Sequence, residues 1–149
     1  MKLHVIQNEK TPLDELQIIT HPVNLRVAQN INLNTDTPRI KVYDGRFNHY
    51  KLIPIHTIES IQSLDNYCQI NLLNQETYLY QNRLKQLTYI EAYHFCQINH
   101  SEIINIQAID HFSVEKHARL ALYTSSNKQY MVSRHYHKIL KERLTDEKL

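Results

Sequence analysis

One glycine, Gly45, in 149 residues excludes a group of functions at the outset. Loops that cradle phosphates or dinucleotides need several glycines so that the backbone can approach the ligand, and P-loop and dinucleotide-binding enzymes are therefore out. Cysteine is nearly as scarce: Cys68 and Cys96 are too few for a disulfide framework and too few to hold zinc unaided, so reduced thiols are expected. Tryptophan is absent, and no run approaches the 18 or so apolar residues of a membrane helix. The opening MKLHVIQNEK lacks the charged-then-apolar plan of a signal peptide, and a soluble, cytoplasmic protein is expected. The chain also lacks the low hydrophobicity and high net charge of disorder, with 42% hydrophobic residues, 21% charged residues and a net charge of +2. Its length fits one domain, or one with a modest appendage.

Thirteen asparagines take over turn work that glycine would otherwise do, because a short amide tolerates left-handed backbone and bonds its own main chain. Charge is unevenly spread. Residues 1–94 carry nine Lys/Arg and nine Asp/Glu, whereas Lys116, Arg119, Lys128, Arg134, Lys138, Lys141 and Arg143 face only Glu142 between 116 and 144. That basic segment is an electrostatic footprint for a polyanion, or a solvated surface.

Composition separates the first fifty residues, with Pro12, Pro22 and Pro38, from the rest. Residues 2–7 alternate like an edge strand, 16–20 are a short apolar run, and 23–33 fit either a strand or one helical face. Period two then predominates, predicting strands at 40–43, 47–53, 57–63, 67–73 and 77–80. Leu84, Leu87 and Ile90 suit a short helix. Further strands are predicted at 95–98, 103–105, 109–114, 119–124 and 129–132. Ser133 then caps a closing helix on which Tyr136, Ile139, Leu140 and Leu144 share helical spacing. The expected fold class is mainly β: an antiparallel β-rich domain over 51–149 with one short internal and one C-terminal helix, preceded by a small N-terminal α/β extension over 1–50.

Residues 95–106 read F-C-Q-I-N-H-S-E-I-I-N-I and residues 129–140 read Q-Y-M-V-S-R-H-Y-H-K-I-L. The first resembles the F-x-R-I-H-R-S-Y-I-V-N-L core of the LytTR family of bacterial DNA-binding domains, and the second its closing V-S-R-x-Y segment. Upstream, I-P-I-H-T-I-E-S-I at 53–61 resembles the family's opening strand and N-R-L-K-Q-L at 82–87 its short helix. The resemblance runs from about residue 51 to 144, in order. It implies a sequence-specific transcriptional regulator whose loops, not a recognition helix, enter consecutive major grooves of double-stranded DNA. By matched position, Asn66 and Tyr67, then Asn99 and His100 before Ser101, then Ser133 and Arg134 would meet DNA; Lys116, Lys128 and Lys138 of the basic segment are expected on phosphates. Their chemistry suits such contacts, since arginine binds guanine O6 and N7, asparagine binds adenine, and a helix start offers free amides to phosphate. Where the family carries basic residues in R-I-H-R, this chain has Gln97, Asn99 and His100, which implies modest phosphate affinity at that loop.

Other readings stand beside these. Asn105, between Ile104 and Ile106, reads as a structural amide; Ser101 could only fix its loop, and Tyr67 could be cross-strand packing. His94, Cys96 and His100 match no metal-ligand spacing, and His135 and His137, two apart, do not share a helical face. No enzyme activity, cofactor, metal or small-molecule substrate is expected, and both cysteines read as buried small residues. The first fifty residues are too short for a phosphoacceptor receiver domain. The resemblance implies a short regulator with a small N-terminal extension that works beside a membrane-protein partner; a homodimer, formed through that extension, is expected. The competing reading is a protein-interaction domain of the same fold without DNA binding.

Overall fold

A computed structural model describes residues 2–13, 15–30 and 38–148, with side chains to residue 145. The chain divides into two units, 1–37 and 38–149. In the first, a 3-10 turn at Pro22–Asn24 leads into a short helix, α1 (Leu25–Gln29), with His21 Nδ1 accepting from Val23 N at 3.2 Å. The ambiguous segment thus becomes helix up to residue 29, and 31–33 lie outside the described residues. The expected edge strand at 2–7 is not formed, as a lone strand has no ladder to stabilise it. None of this unit's described residues is buried.

The second unit is built on ten antiparallel strands. A seven-stranded sheet contains β1 (Arg39–Asp44), β2 (His49–Pro54), β3 (Ile58–Leu64), β4 (Tyr67–Leu72), β5 (Thr77–Tyr80), β6 (Phe95–Asn99) and β7 (Glu102–Asn105), in the order β2-β1-β5-β4-β3-β7-β6. A three-stranded sheet, β10-β9-β8, is made from β8 (Ile109–Val114), β9 (Leu120–Thr124) and β10 (Gln129–Val132). The closing helix α2 spans Arg134–Lys148. β1 pairs with β5 through Tyr43 and Leu79, so the compact unit begins near Pro38 and the boundary expected at residue 50 falls inside β2.

Two cores explain the period changes. In the first, Leu84, Leu87 and Ile90 from a ten-residue helical segment, Leu84–Tyr93, meet Ile58, Ile61, Cys68, Ile70, Phe95 and Ile103. In the second, Cys96, Ile98 and Ile104 meet Leu120, Leu122 and Val132 of the small sheet and Leu140 and Leu144 of α2. β6 and β7 are therefore apolar on both faces, which is why F-C and I-I stand side by side in sequence. Burial pushes the Cys68 thiol up to about 11 and raises Cys96 as well, so both are inert small residues. Asn105 is a structural amide, with Nδ2 donating to Ile58 O at 2.9 Å and Oδ1 accepting from Gln107 N at 3.0 Å.

Between the sheets runs a buried polar chain. Gln69 donates to Asn71 (2.8 Å), Asn71 to Ser60 Oγ (3.1 Å), and Ser60 is bonded to the Tyr130 hydroxyl (2.9 Å). Tyr130 donates in turn to Glu59 Oε2 at 2.7 Å. Ser126 Oγ donates to Glu59 Oε1, and Lys128 Nζ lies 3.7 Å from Oε2. Glu59 is fully buried, and a carboxylate there requires such partners. Burial raises the Tyr130 hydroxyl far above its ordinary range.

Left-handed backbone occurs at Asn48, Asp65, Gln75, His94, His117, Ala118 and Asn127, while Gly45 is not among them. Short polar side chains thus carry three of these turns, as the asparagine-rich composition predicts.

Candidate nucleic-acid interface

Antiparallel pairing fixes which loops share an end of the molecule. β3 pairs with β4 through Leu64 and Tyr67, and with β7 through Gln62 and Glu102. The β3–β4 turn, with Asn66, and the β6–β7 turn, with His100 and Ser101, are therefore neighbours. Ser63 N donates to Ser101 O at 2.7 Å across them. The third loop is joined from the other side: Ser133 N donates to Ile98 O at 2.9 Å, and Asn99 Nδ2 to Met131 O at 3.2 Å. Leu120 pairs with Val132, which brings the β8–β9 loop, with Lys116, His117 and Arg119, to the same end. One open groove of about 560 Å³ is lined there by Asn99, His117, Arg119, Ser133 and Arg134, among others. Asn66, Tyr67, His100, Ser101, Lys116, Ser133 and Arg134 are all exposed.

Asn99 departs from its expected role. Its Oδ1 accepts from the Ser101 amide at 2.9 Å and hydroxyl at 3.1 Å, and its Nδ2 donates to Glu102 Oε1 at 3.1 Å and to Met131 O. An asparagine amide has two donors and one acceptor oxygen, so all of it is spent bracing the middle loop against β10. Asn99 positions this loop; His100 and Ser101 are its outward groups. Ser133 enters α2 through its main chain, its carbonyl accepting from Tyr136 N at 3.0 Å. Its hydroxyl, expected to cap the first-turn amides, makes no hydrogen bond with the described residues and stays available.

The basic segment also divides. Lys128 sits in the β9–β10 turn, at the far end of β9 from Leu120, some four strand residues or roughly 13 Å away. It is ion-paired with Glu59, so it is not brought to the loop end and completes the buried polar chain instead. Arg143 is internal too: Nη1 donates to Phe95 O and Nη2 to Glu91 O at 3.1 Å, pinning α2 to β6 and the internal helical segment. Lys116, Arg119, Arg134, Lys138 and Lys141 are exposed, and none of the five makes an ion pair with the described residues. A pair of internal roles thus reduces seven apparent surface cations to five. Sequence position alone carries no sign of this, because the partners are 48 and 69 residues away.

Arg83, which no sequence signal marks as functional, also belongs to this end. Its Nη2 donates to Asn66 Oδ1 at 3.0 Å, holding the first loop. Its main chain is tied to the helical segment, Arg83 N donating to Gln86 Oε1 at 3.3 Å and Gln86 N donating to Arg83 O at 3.0 Å. Among the described residues no group of three or more His, Cys, Asp or Glu side chains could hold a metal ion, and no helix is long and apolar enough to cross a membrane.

The sequence matches the family model described as the LytTr DNA-binding domain over residues 48–145. The structure is similar to the LytTr DNA-binding domain of a methyl-accepting/DNA response regulator from Bacillus cereus, with a TM-score of 0.64 at 16% identity, covering 72% of this chain and 96% of that one. Comparison with curated proteins gives no match.

Proposed function

The chain belongs to the LytTr DNA-binding domain family, and from that premise we propose that it is a sequence-specific transcriptional regulator reading consecutive major grooves of double-stranded DNA with its loops. The observation that carries this reading is the convergence at one end of the sheets of three linked loops, with exposed Asn66, His100 and Arg134, flanked by cations that make no ion pair with the described residues. Arg134 stands at the start of α2 without a side-chain partner among the described residues, so its paired donors are available for guanine O6 and N7. Ser133 offers its hydroxyl to phosphate, the Ser101 hydroxyl being held by Asn99 Oδ1, and Lys116, Arg119 and Lys138 supply the sequence-independent attraction. Asn99 holds the middle loop at the spacing the others require. The extension, whose described residues include exposed Leu3, Val5, Ile6, Leu16 and Ile19, serves self-association, making the working species a homodimer in the cytoplasm. A membrane-protein partner is the source of its control.

The test is a binding titration of the full chain with duplex from its own upstream region, against random duplex as competitor at moderate salt. Preference for the upstream duplex of at least about 10³-fold is expected of specific over non-specific binding. Equal affinity for both duplexes refutes the reading. The loss of Asn99 to internal bonds, with Gln97 beside it, favours one alternative, a protein-interaction domain of the same fold, and equal affinity would favour that alternative.

A further inference from the structure

The sheet order fixes what lies beyond the first reading loop. Tyr80 pairs with Cys68, so the chain that leaves β5 at Gln81 runs beside the β3–β4 turn, where Arg83 Nη2 donates to Asn66 Oδ1 at 3.0 Å. In the order β5-β4-β3-β7-β6, this segment and the start of α2, which is bonded to β6 through Ile98 O, stand on opposite sides of the β3–β4 and β6–β7 turns. Four strand spacings separate β5 from β6, roughly 19 Å. Arg83 and Lys85 therefore mark one margin of the loop end, and Arg134 and Lys138 the other.

Two open grooves follow the first margin. One, of about 340 Å³, is lined by Asn66, Gln81, Asn82, Arg83, Lys85 and Gln86. The other, of about 300 Å³, shares Gln81 and Asn82 and adds Arg39 and Lys41. Tyr50, on the second groove, donates its hydroxyl to Gln81 Oε1 at 3.0 Å, which ties the two together. Among the described residues neither lining contains a carboxylate. Arg39, Lys41, Arg83 and Lys85 are all exposed, and none of the four makes an ion pair with the described residues. Sequence charge hides this band, because six Lys/Arg stand against five Asp/Glu between 38 and 94. Folding spends three of the five acids: Asp44 is buried on Arg46, Glu59 on Tyr130 and Lys128, and Glu76 accepts from the Tyr78 hydroxyl at 2.8 Å. The other two, Asp65 and Glu91, line neither groove.

Four unpaired cations interspersed with amides suit a polyanion. The amides offer both donors and acceptors and select no base, whereas the cations attract every phosphate alike. We propose that this band is a second contact surface for the DNA backbone, holding phosphates of the duplex that flanks the segment read by the loops, on the side of Asn66 remote from α2. This rests on the DNA-reading function proposed above, and it adds a surface outside the three loops and the group it takes. Arg83 gives one of its five donors to Asn66 and keeps the rest for phosphate.

The test is competition binding of the full chain to its own upstream duplex over a range of salt, with the preferred sequence kept and its flanks trimmed from one end or the other. Wild type is compared with Lys85→Gln, with the double variants Arg83→Gln/Lys85→Gln and Arg39→Gln/Lys41→Gln, and with Lys138→Ala. On untrimmed duplex Lys85→Gln should flatten the slope of log affinity against log salt by about 0.9, and each double variant by about 1.8, with roughly 0.9 for each phosphate contact. Base preference under Lys85→Gln should not change. Trimming one end should flatten the wild-type slope and abolish its difference from the double variants, while trimming the other should abolish its difference from Lys138→Ala. Either double variant keeping the wild-type slope would overturn the inference, as would both margins answering to the same trimmed end. If the double variants are neutral while the upstream duplex is still preferred to random duplex, the DNA-reading function stands and only this inference fails. With no preferred sequence in wild type, both fall. The Lys85 side chain is exposed and makes no hydrogen bond with the described residues, so Lys85→Gln tests the band in a normally folded chain with Asn66 still held.

Discussion

Replacing Tyr130 by phenylalanine removes one oxygen from the seam between the sheets and leaves the ring in place. Two hydrogen bonds go with it, to Glu59 Oε2 at 2.7 Å and to Ser60 Oγ at 2.9 Å. A bond to a carboxylate contributes about 1.5–3 kcal/mol and a neutral one about 0.5–1.5 kcal/mol. No cavity term is added, since no carbon is lost. Glu59 keeps Ser126 and Lys128, so it is not stranded without partners. The expected loss is therefore about 2–4 kcal/mol. With a urea m-value of about 2 kcal/mol per molar for a domain of this size, the unfolding midpoint should fall by about 1–2 M with m unchanged. Equilibrium unfolding of the full chain, followed by far-ultraviolet circular dichroism, measures this. Combining Tyr130→Phe with Glu59→Gln in a double-mutant cycle should give a coupling of at least about 0.5 kcal/mol. A midpoint shift below about 0.3 M, or perfect additivity, would refute the view that this polar chain holds the small sheet to β3.

Arg134→Ala should weaken specific binding by about 1–3 kcal/mol, with the loss confined to one or two base positions; wild-type affinity and base preference in a folded variant would remove Arg134 from the contacts. Lys138→Ala should flatten the slope of log affinity against log salt by about 0.9, while Lys128→Ala should leave it unchanged and lower thermal stability instead, because its partner is Glu59. Equal slopes for both variants would contradict this division. The side-chain bond from Arg46 holds the buried Asp44 carboxyl below its ordinary value. Its stabilisation is thus complete above the unfolded carboxylate pKa of about 3.9 and is lost as pH falls through the lower folded value. The stability gap between wild type and Asp44→Asn should be constant above about pH 5 and close below about pH 4, and a gap that widens in acid would reverse the sign. A chain beginning at Pro38 should fold and retain DNA contact while losing self-association in sedimentation; loss of DNA binding under saturating association would refute that separation.

Period and turn chemistry make most of the compact unit legible in the sequence. The strands at 67–72 and 77–80 follow from simple alternation, with Cys68 and Ile70 buried and Tyr67, Gln69 and Leu79 at least partly open. The limits lie where one residue pattern serves two geometries. The clustered prolines suggest that residues 39–50 belong to the extension, yet the β1–β2 hairpin pairs along its length from Arg39–Pro54 to Asp44–His49 and joins β5 at one register point. Nothing local to residues 39–54 encodes that distant partner. The strand expected at 2–7 is missing for the complementary reason: alternation supplies a face, but only a neighbouring edge supplies the ladder.

The site is legible in sequence by residue type and not by availability. Asn99 and Asn66 carry the same amide and sit in matched turns, yet one is saturated by Ser101, Glu102 and Met131 and the other makes a single side-chain bond, from Arg83. Lys128 and Lys138 are likewise the same residue ten positions apart, and a buried glutamate on β3 takes the first out of the electrostatic surface. A motif states which chemistry a loop can perform; the unspent donors and acceptors after folding state which chemistry it does perform. Such an interface therefore depends on residues beside the reading loops as much as on the loops, since Arg83 holds Asn66 from a different loop and Glu59 holds Lys128 from a different sheet.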